Sequence, residues 1–150
     1  MPADTDLIKL YSNRILGLAA DIPHHARLSA AGATVKKRSP LCGSTVTVDV
    51  IVEDGRITDF GQDVKACALG QAAAAVTGGA ILGRTLDEVM AGRDALRAML
   101  KANGPVPSAP FHEFEVLEPA RDYKNRHASI LLSIEATAEA MEQALQSDCA

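Results

Sequence analysis

The thiols are the side chains of this sequence best equipped for chemistry, and each stands at a junction between expected elements, where a side chain can leave the packed layers. Cys42 lies in Pro40-Leu41-Cys42-Gly43, a turn that fixes the chain before the sulfur and leaves little bulk after it, so neighbouring amides can approach a thiolate. Cys67 opens an alanine-rich segment, where the positive end of a helix dipole favours the thiolate, the form that binds metal. The two are 25 residues apart, so no short Cys-x-x-Cys rule joins them, and a pair of small buried hydrophobes is the alternative. His127, at the start of the last helical segment, offers an imidazole that can join both thiolates around one ion; a surface or capping role is its alternative. Cys149, next to last, reads as an incidental thiol, and His24 and His25 as exposed polar residues of a loop.

Other chemistries find little support. No G-x-S-x-G, Walker loop or H-E-x-x-H occurs, and Thr77-Gly78-Gly79-Ala80 follows a helix rather than a strand, which makes it a turn. A non-enzymatic protein is expected. The net charge of −4 would not attract nucleic acid, and the one basic run, Lys36-Lys37-Arg38, reads as a solvated strand edge. Aromatic residues make up 3% with no Trp, so platforms for stacking bases are scarce. Three cysteines, an odd number at long intervals, suggest reduced thiols rather than a disulfide framework. The opening MPADTDLIKL has no basic run before an apolar one, and no stretch of about 18 apolar residues occurs, so a soluble cytoplasmic protein without a membrane partner is expected.

The elements that must position these groups follow from periodicity. Leu7, Ile8, Leu10, Tyr11, Ile15, Leu16 and Leu18 form one helical stripe from Asp6, a candidate cap, to Ala20, with Pro23 beyond. Thr45 to Val52 alternates and is β-branched; Asp54-Gly55 then turns the chain into a returning strand at Arg56–Phe60, and Val35 belongs to a third strand before Pro40. After Cys67 the segment ALGQAAAAV makes a buried helix that Gly78-Gly79 interrupts. Thr85 and Glu88 form a capping box for a helix running to about Lys101. Residues 103–110, NGPVPSAP, form a loop, and a terminal helix spans Asn125 to about Gln146. At 150 residues and 47% hydrophobic, the chain reads as one domain of the α+β class, with an antiparallel three-stranded sheet covered by helices on one face.

These residues resemble a known family in chain order. Leu10-Tyr11-Ser12-Asn13-Arg14-Ile15-Leu16 is similar to its first helix, Pro40-Leu41-Cys42-Gly43 to its first cysteine loop, and Ala66-Cys67-Ala68 to its second. Gly83-Arg84-Thr85-Leu86-Asp87-Glu88 is similar to the cap of its next helix, and Arg126-His127-Ala128-Ser129-Ile130-Leu131 to its last motif. The chain thus resembles the NifU N-terminal/IscU/SufU family of iron–sulfur cluster assembly scaffolds, over nearly all its length.

The resemblance implies a SufE/NifU-like sheet with helices on one side. Three cysteines and an aspartate or histidine then meet at one end and hold a transient [2Fe–2S] cluster or zinc. By position, the ligands become Cys42, Cys67 and His127. Two positions depart: Ser44 stands where the family has aspartate, and Ala128 where it has the third cysteine. A hydroxyl is a poorer ligand than a carboxylate, and a methyl group is none. The stretch from about Lys101 to Tyr123 resembles the SufU-like branch, and the Leu-Pro-Pro-Val-Lys segment read by a chaperone in the IscU branch is missing. The implied function is an iron–sulfur scaffold or carrier that binds iron or a [2Fe–2S] cluster through Cys42, Cys67 and His127, with Ser44 or an exogenous thiol completing the set. The alternatives are a zinc-binding persulfide acceptor and a metal-free interaction module. The implied partners are a cysteine desulfurase and recipient apoproteins, and the chain would act as a monomer or weak dimer.

Overall fold

A computed structural model describes residues 12–40 and 43–148, the side chains of residues 147 and 148 excepted. The described residues form three strands, β1 (Ala33–Arg38), β2 (Thr45–Glu53) and β3 (Arg56–Lys65), and four α-helices, α1 (Asn13–Ala20), α2 (Ala68–Ala80), α3 (Leu86–Lys101) and α4 (Lys124–Asp148). A 3-10 segment, His112–Asp122, precedes α4. The strands form one antiparallel sheet in the order β1-β2-β3. This is the expected α+β architecture.

The sheet is laid down by alternation. Val46, Val48, Val50 and Val52 of β2 are buried on the face that the helices cover, and their partners across β3 are Val64, Gln62, Phe60 and Ile57. Asp54 (φ 53°) and Gly55 (φ 77°) both adopt left-handed backbone, so the hairpin turns as Asp-Gly predicts. β3 runs on to Lys65, beyond the expected Phe60. Ile51 pairs with Asp59 but Val52 with Ile57, so Thr58 is an extra residue, and this bulge restores the buried face after the turn.

α4 crosses β1 and β2 and also packs against α2 and α3, which is why it is buried almost all round, from Ile130 through Ala144. Its Glu139 meets Lys37 of the edge strand at 3.1 Å, and Lys36 and Arg38 are exposed. α3 opens with both arms of the capping box in place: Thr85 Oγ1 accepts from the Glu88 amide at 3.2 Å, and the Glu88 carboxylate accepts from the Thr85 amide at 3.0 Å. No described helix is long and apolar enough to cross a membrane.

Two expectations are corrected, and one element was not expected. The helix expected from Asp6 to Ala20 does not run through residue 12: Ser12 is extended (φ −60°, ψ 163°) and caps α1 by accepting from the Ile15 amide, while Asp6 lies outside the described residues. Gly78-Gly79 does not interrupt α2, which continues to Ala80. A Cβ at Gly78 would lie 2.8 Å from Gln62 Nε2 and 2.9 Å from the Pro23 carbonyl, so this glycine serves close packing rather than a turn. The 3-10 segment carries Pro119 and has no regular 3.6-residue stripe, so it escapes a search for helical periodicity.

Candidate functional site

Cys67 is the N-cap of α2. Its backbone is extended (φ −67°, ψ 170°), and its side chain makes no cap hydrogen bond, so the sulfur stands free of the helix it begins. It is a free, half-buried thiol. α2 starts here because β3 ends at Lys65 and the chain turns through Ala66 into the alanine run.

The sulfur has a polar neighbour that the sequence motifs had not singled out. Cys67 Sγ lies 3.7 Å from Ser129 Oγ in the first turns of α4, and Ser129 Oγ donates to Ser44 Oγ at 3.0 Å. Ser129 and Ser44 are 1% and 4% exposed, so water does not compete for these bonds. The contact is possible because Gly70 brings α2 close to α4: a Cβ there would lie 2.6 Å from Ser129 Oγ. The available signal was a polar residue every fourth position of an otherwise apolar helix. Ser129, Ser133 and Thr137 are all buried on one stripe, and Ser133 donates to Gln62 Oε1 at 3.0 Å.

Ser44 begins the approach to β2. Its carbonyl accepts from the Ser39 amide at 2.8 Å, and the Ser39 carbonyl accepts from Gly43 at 2.9 Å, with Gly43 at φ 70°. These bonds tie together the two ends of the connection between β1 and β2. Cys42 belongs to that connection and lies outside the described residues, as does Cys149.

His127 is 4% exposed, and its Nε2 is 3.0 Å from the carbonyls of both Ala120 and Arg121. A carbonyl oxygen only accepts, so Nε2 carries the proton, and in the neutral ring Nδ1 holds the one lone pair left for another partner. Residues two apart on a helix point to different sides, so Ser129 meets Cys67 while the His127 ring packs toward the 3-10 segment. Among the described residues, no group of three or more His, Cys, Asp and Glu side chains is placed to hold a metal ion. Cys67 alone contributes a soft donor to the described cluster, and the serine oxygens beside it suit iron poorly, so a full ligand set has to draw on residues beyond this triad.

His24 and His25 are exposed, as expected, but they help to cover the sheet edge. His25 Nε2 accepts from the Val64 amide at 3.3 Å, and the His24 carbonyl accepts from the Gln62 amide at 3.0 Å. On the sheet face away from the helices, Asp49 is held by Arg27, Thr34 and the Leu28 amide, which fastens the same connection over the strands. Burial pushes the Asp49 carboxyl up, but those hydrogen bonds outweigh it and hold it below the usual carboxylate range.

Comparison with known proteins gives a consistent picture. Residues 10–129 match the model of the family described as the NifU-like N terminal domain. The chain is 44% identical to the N-terminal part of a nitrogen-fixing NifU-like protein from Brucella abortus, covering 94% of this chain and 98% of that one, with a TM-score of 0.92. A putative iron–sulfur cluster assembly scaffold protein for the SUF system from Fervidobacterium islandicum AW-1 is 20% identical, over 89% of this chain and 98% of that one, with a TM-score of 0.79; this likeness shows the fold. A hypothetical protein of 21% identity also shares the fold, over 90% of this chain and 98% of that one, with a TM-score of 0.80. No curated protein matches.

Proposed function

Because the chain belongs to the NifU-like N terminal domain family, we propose that it is an iron–sulfur cluster assembly scaffold or carrier whose cargo is iron or a transient [2Fe–2S] cluster. The observation that carries the reading is the placement of Cys67, a half-buried free thiol at a helix N-terminus, bonded through Ser129 to Ser44. Ser44 follows Cys42 by two residues in the chain, so the first cysteine loop is tied to the helix that bears the second cysteine.

In this reading Cys42 and Cys67 supply thiolates and His127 supplies Nδ1, its other nitrogen being spent on the carbonyls of Ala120 and Arg121. Ser44 or an exogenous thiol completes the set. Two thiolates and an imidazole grip a cluster less firmly than three thiolates and a carboxylate, which suits cargo that must be passed on. The cargo would come from a cysteine desulfurase and go to recipient apoproteins, with the chain acting in the cytoplasm as a monomer or weak dimer.

The test is anaerobic incubation with ferrous iron, L-cysteine and a cysteine desulfurase, followed by assay of iron, acid-labile sulfide and visible absorbance. Iron and sulfide in equal amounts, lost in Cys42→Ala and Cys67→Ala, are expected. Protein that emerges colourless, without iron or sulfide, would end the scaffold reading.

The free Cys67 thiol also supports a second reading: a persulfide acceptor, with zinc as its metal. The Cys42 or Cys67 thiolate would attack the outer sulfur of a desulfurase persulfide, forming a new S–S bond while the desulfurase thiolate leaves. Mass spectrometry showing one added sulfur on a single thiol, without iron, would select this reading.

A further inference from the structure

We propose that Ser129 is the positioning residue of the Cys67 sulfur, its hydroxyl accepting from the free thiol and turning to donate to the sulfur when cargo binds. The proposal rests on the reading that Cys67 is a cargo ligand.

A serine hydroxyl has one proton to give and can accept at its oxygen. The Ser129 proton points to Ser44 Oγ, 3.0 Å away, which leaves the Ser129 oxygen as acceptor for the Cys67 S–H at 3.7 Å. A sulfur that ligates metal is a thiolate and has no proton to offer. Two acceptors would then face each other at the buried Ser129 oxygen, where an unmade hydrogen bond is costly.

Rotation about the Ser129 Cβ–Oγ bond resolves this without moving a heavy atom. The hydroxyl proton swings from Ser44 to the sulfur, and Ser44 stays within reach of the vacated oxygen. The thiol proton leaves to solvent as the metal–sulfur bond forms, and each serine keeps its own proton. The wedge of Gly70 against Ser129 Oγ makes the arrangement rigid, because the oxygen cannot retreat from the sulfur into α2. A hydrogen bond to a ligating sulfur orients it and draws charge from the metal–sulfur bond, the outer-shell control expected of a cluster that must be released.

Two measurements test this. In apo-protein carrying Cys42→Ser and Cys149→Ser, so that Cys67 is the sole thiol, Ser129→Ala should move the infrared S–H stretch to the higher frequency of an unbonded thiol. In the otherwise native chain, titrated with cobalt(II) chloride, Ser129→Ala should weaken binding about tenfold and shift the sulfur-to-cobalt charge-transfer band to lower energy, as the sulfur becomes more electron-rich. Ser133→Ala, which removes another buried hydroxyl one turn along α4, should leave both signals unchanged. An S–H band that ignores Ser129→Ala overturns the proposal. So does a loss of cobalt affinity with an unmoved charge-transfer band, which marks a packing role alone. Native protein that binds neither cobalt nor iron, while the S–H band still responds, would defeat the scaffold reading and leave the Ser129–Cys67 contact standing.

Discussion

Asp49 fastens Arg27, Leu28 and Thr34 over the sheet's outer face through a single carboxylate, and Asp49→Asn is the sharpest test of that arrangement. Its side chain is 1% exposed and takes four donors on two oxygens. Arg27 Nε (2.7 Å) and the Leu28 amide (3.0 Å) meet Oδ2, while Arg27 Nη2 (3.1 Å) and the Thr34 hydroxyl meet Oδ1. An asparagine has one acceptor oxygen, and its least costly orientation keeps that oxygen toward Leu28, whose N–H cannot reverse. The new NH2 then faces the Thr34 hydroxyl, which can turn to accept, and an Arg27 N–H, which cannot. The Leu28 bond falls from charge-assisted to neutral strength, and one donor pair is opposed, so the expected loss is about 2 kcal/mol at neutral pH. Asp49→Ala, which also strands the Leu28 amide, should cost about 3 kcal/mol.

Urea denaturation followed by circular dichroism measures both variants. The folded-state pKa of Asp49 lies below its unfolded value, so its stabilisation is complete above about pH 4 and is lost as pH falls through the folded pKa. The gap between wild type and Asp49→Asn should therefore narrow below about pH 4. A gap that stays constant from neutral to acid pH, or a loss under ~0.5 kcal/mol at pH 7, would refute the reasoning.

Three other outcomes are expected. Gly70→Ala puts a Cβ 2.6 Å from Ser129 Oγ and 2.8 Å from the Ala66 Cβ, so it should cost about 1–3 kcal/mol in denaturation despite the better helix propensity of alanine. Thr85→Ala removes the hydroxyl that accepts from the Glu88 amide, leaving only the backbone arm of the α3 capping box, and should cost about 1 kcal/mol, seen as a thermal shift of roughly 2–4 °C. Ala128→Cys should tighten zinc or cobalt binding at least ~10-fold and add sulfur-to-cobalt charge-transfer intensity, since a third thiolate replaces a methyl group; unchanged affinity would place residue 128 away from the metal.

The local chemistry of the fold was written in short stretches of sequence. Asp54-Gly55 specified a turn because both residues tolerate left-handed backbone, Thr85 with Glu88 specified a helix start because two orphan amides are answered within one turn, and the valines of β2 specified the buried face by alternation. The family was also legible, because its motifs occur in order along the chain. What escaped were features set by distant neighbours. Gly78-Gly79 looked like a break until Gln62 and Pro23 were seen to need the space, and Ser12 ended a stripe that hydrophobic spacing alone ran through.

The site divides in the same way. Residue type and position marked Cys67, because a thiol just before an alanine run stands at a helix N-terminus. Its pairing with Ser129 and Ser44 depends on three segments separated by 62 and 85 residues meeting at one end of the sheet. No local propensity encodes such a meeting: it arises when α4 crosses β1 and β2 and Gly70 lets α2 close against it. Likewise, the sequence names His127 as a nitrogen donor, but only the fold, by presenting the carbonyls of Ala120 and Arg121 to Nε2, decides which nitrogen keeps its lone pair.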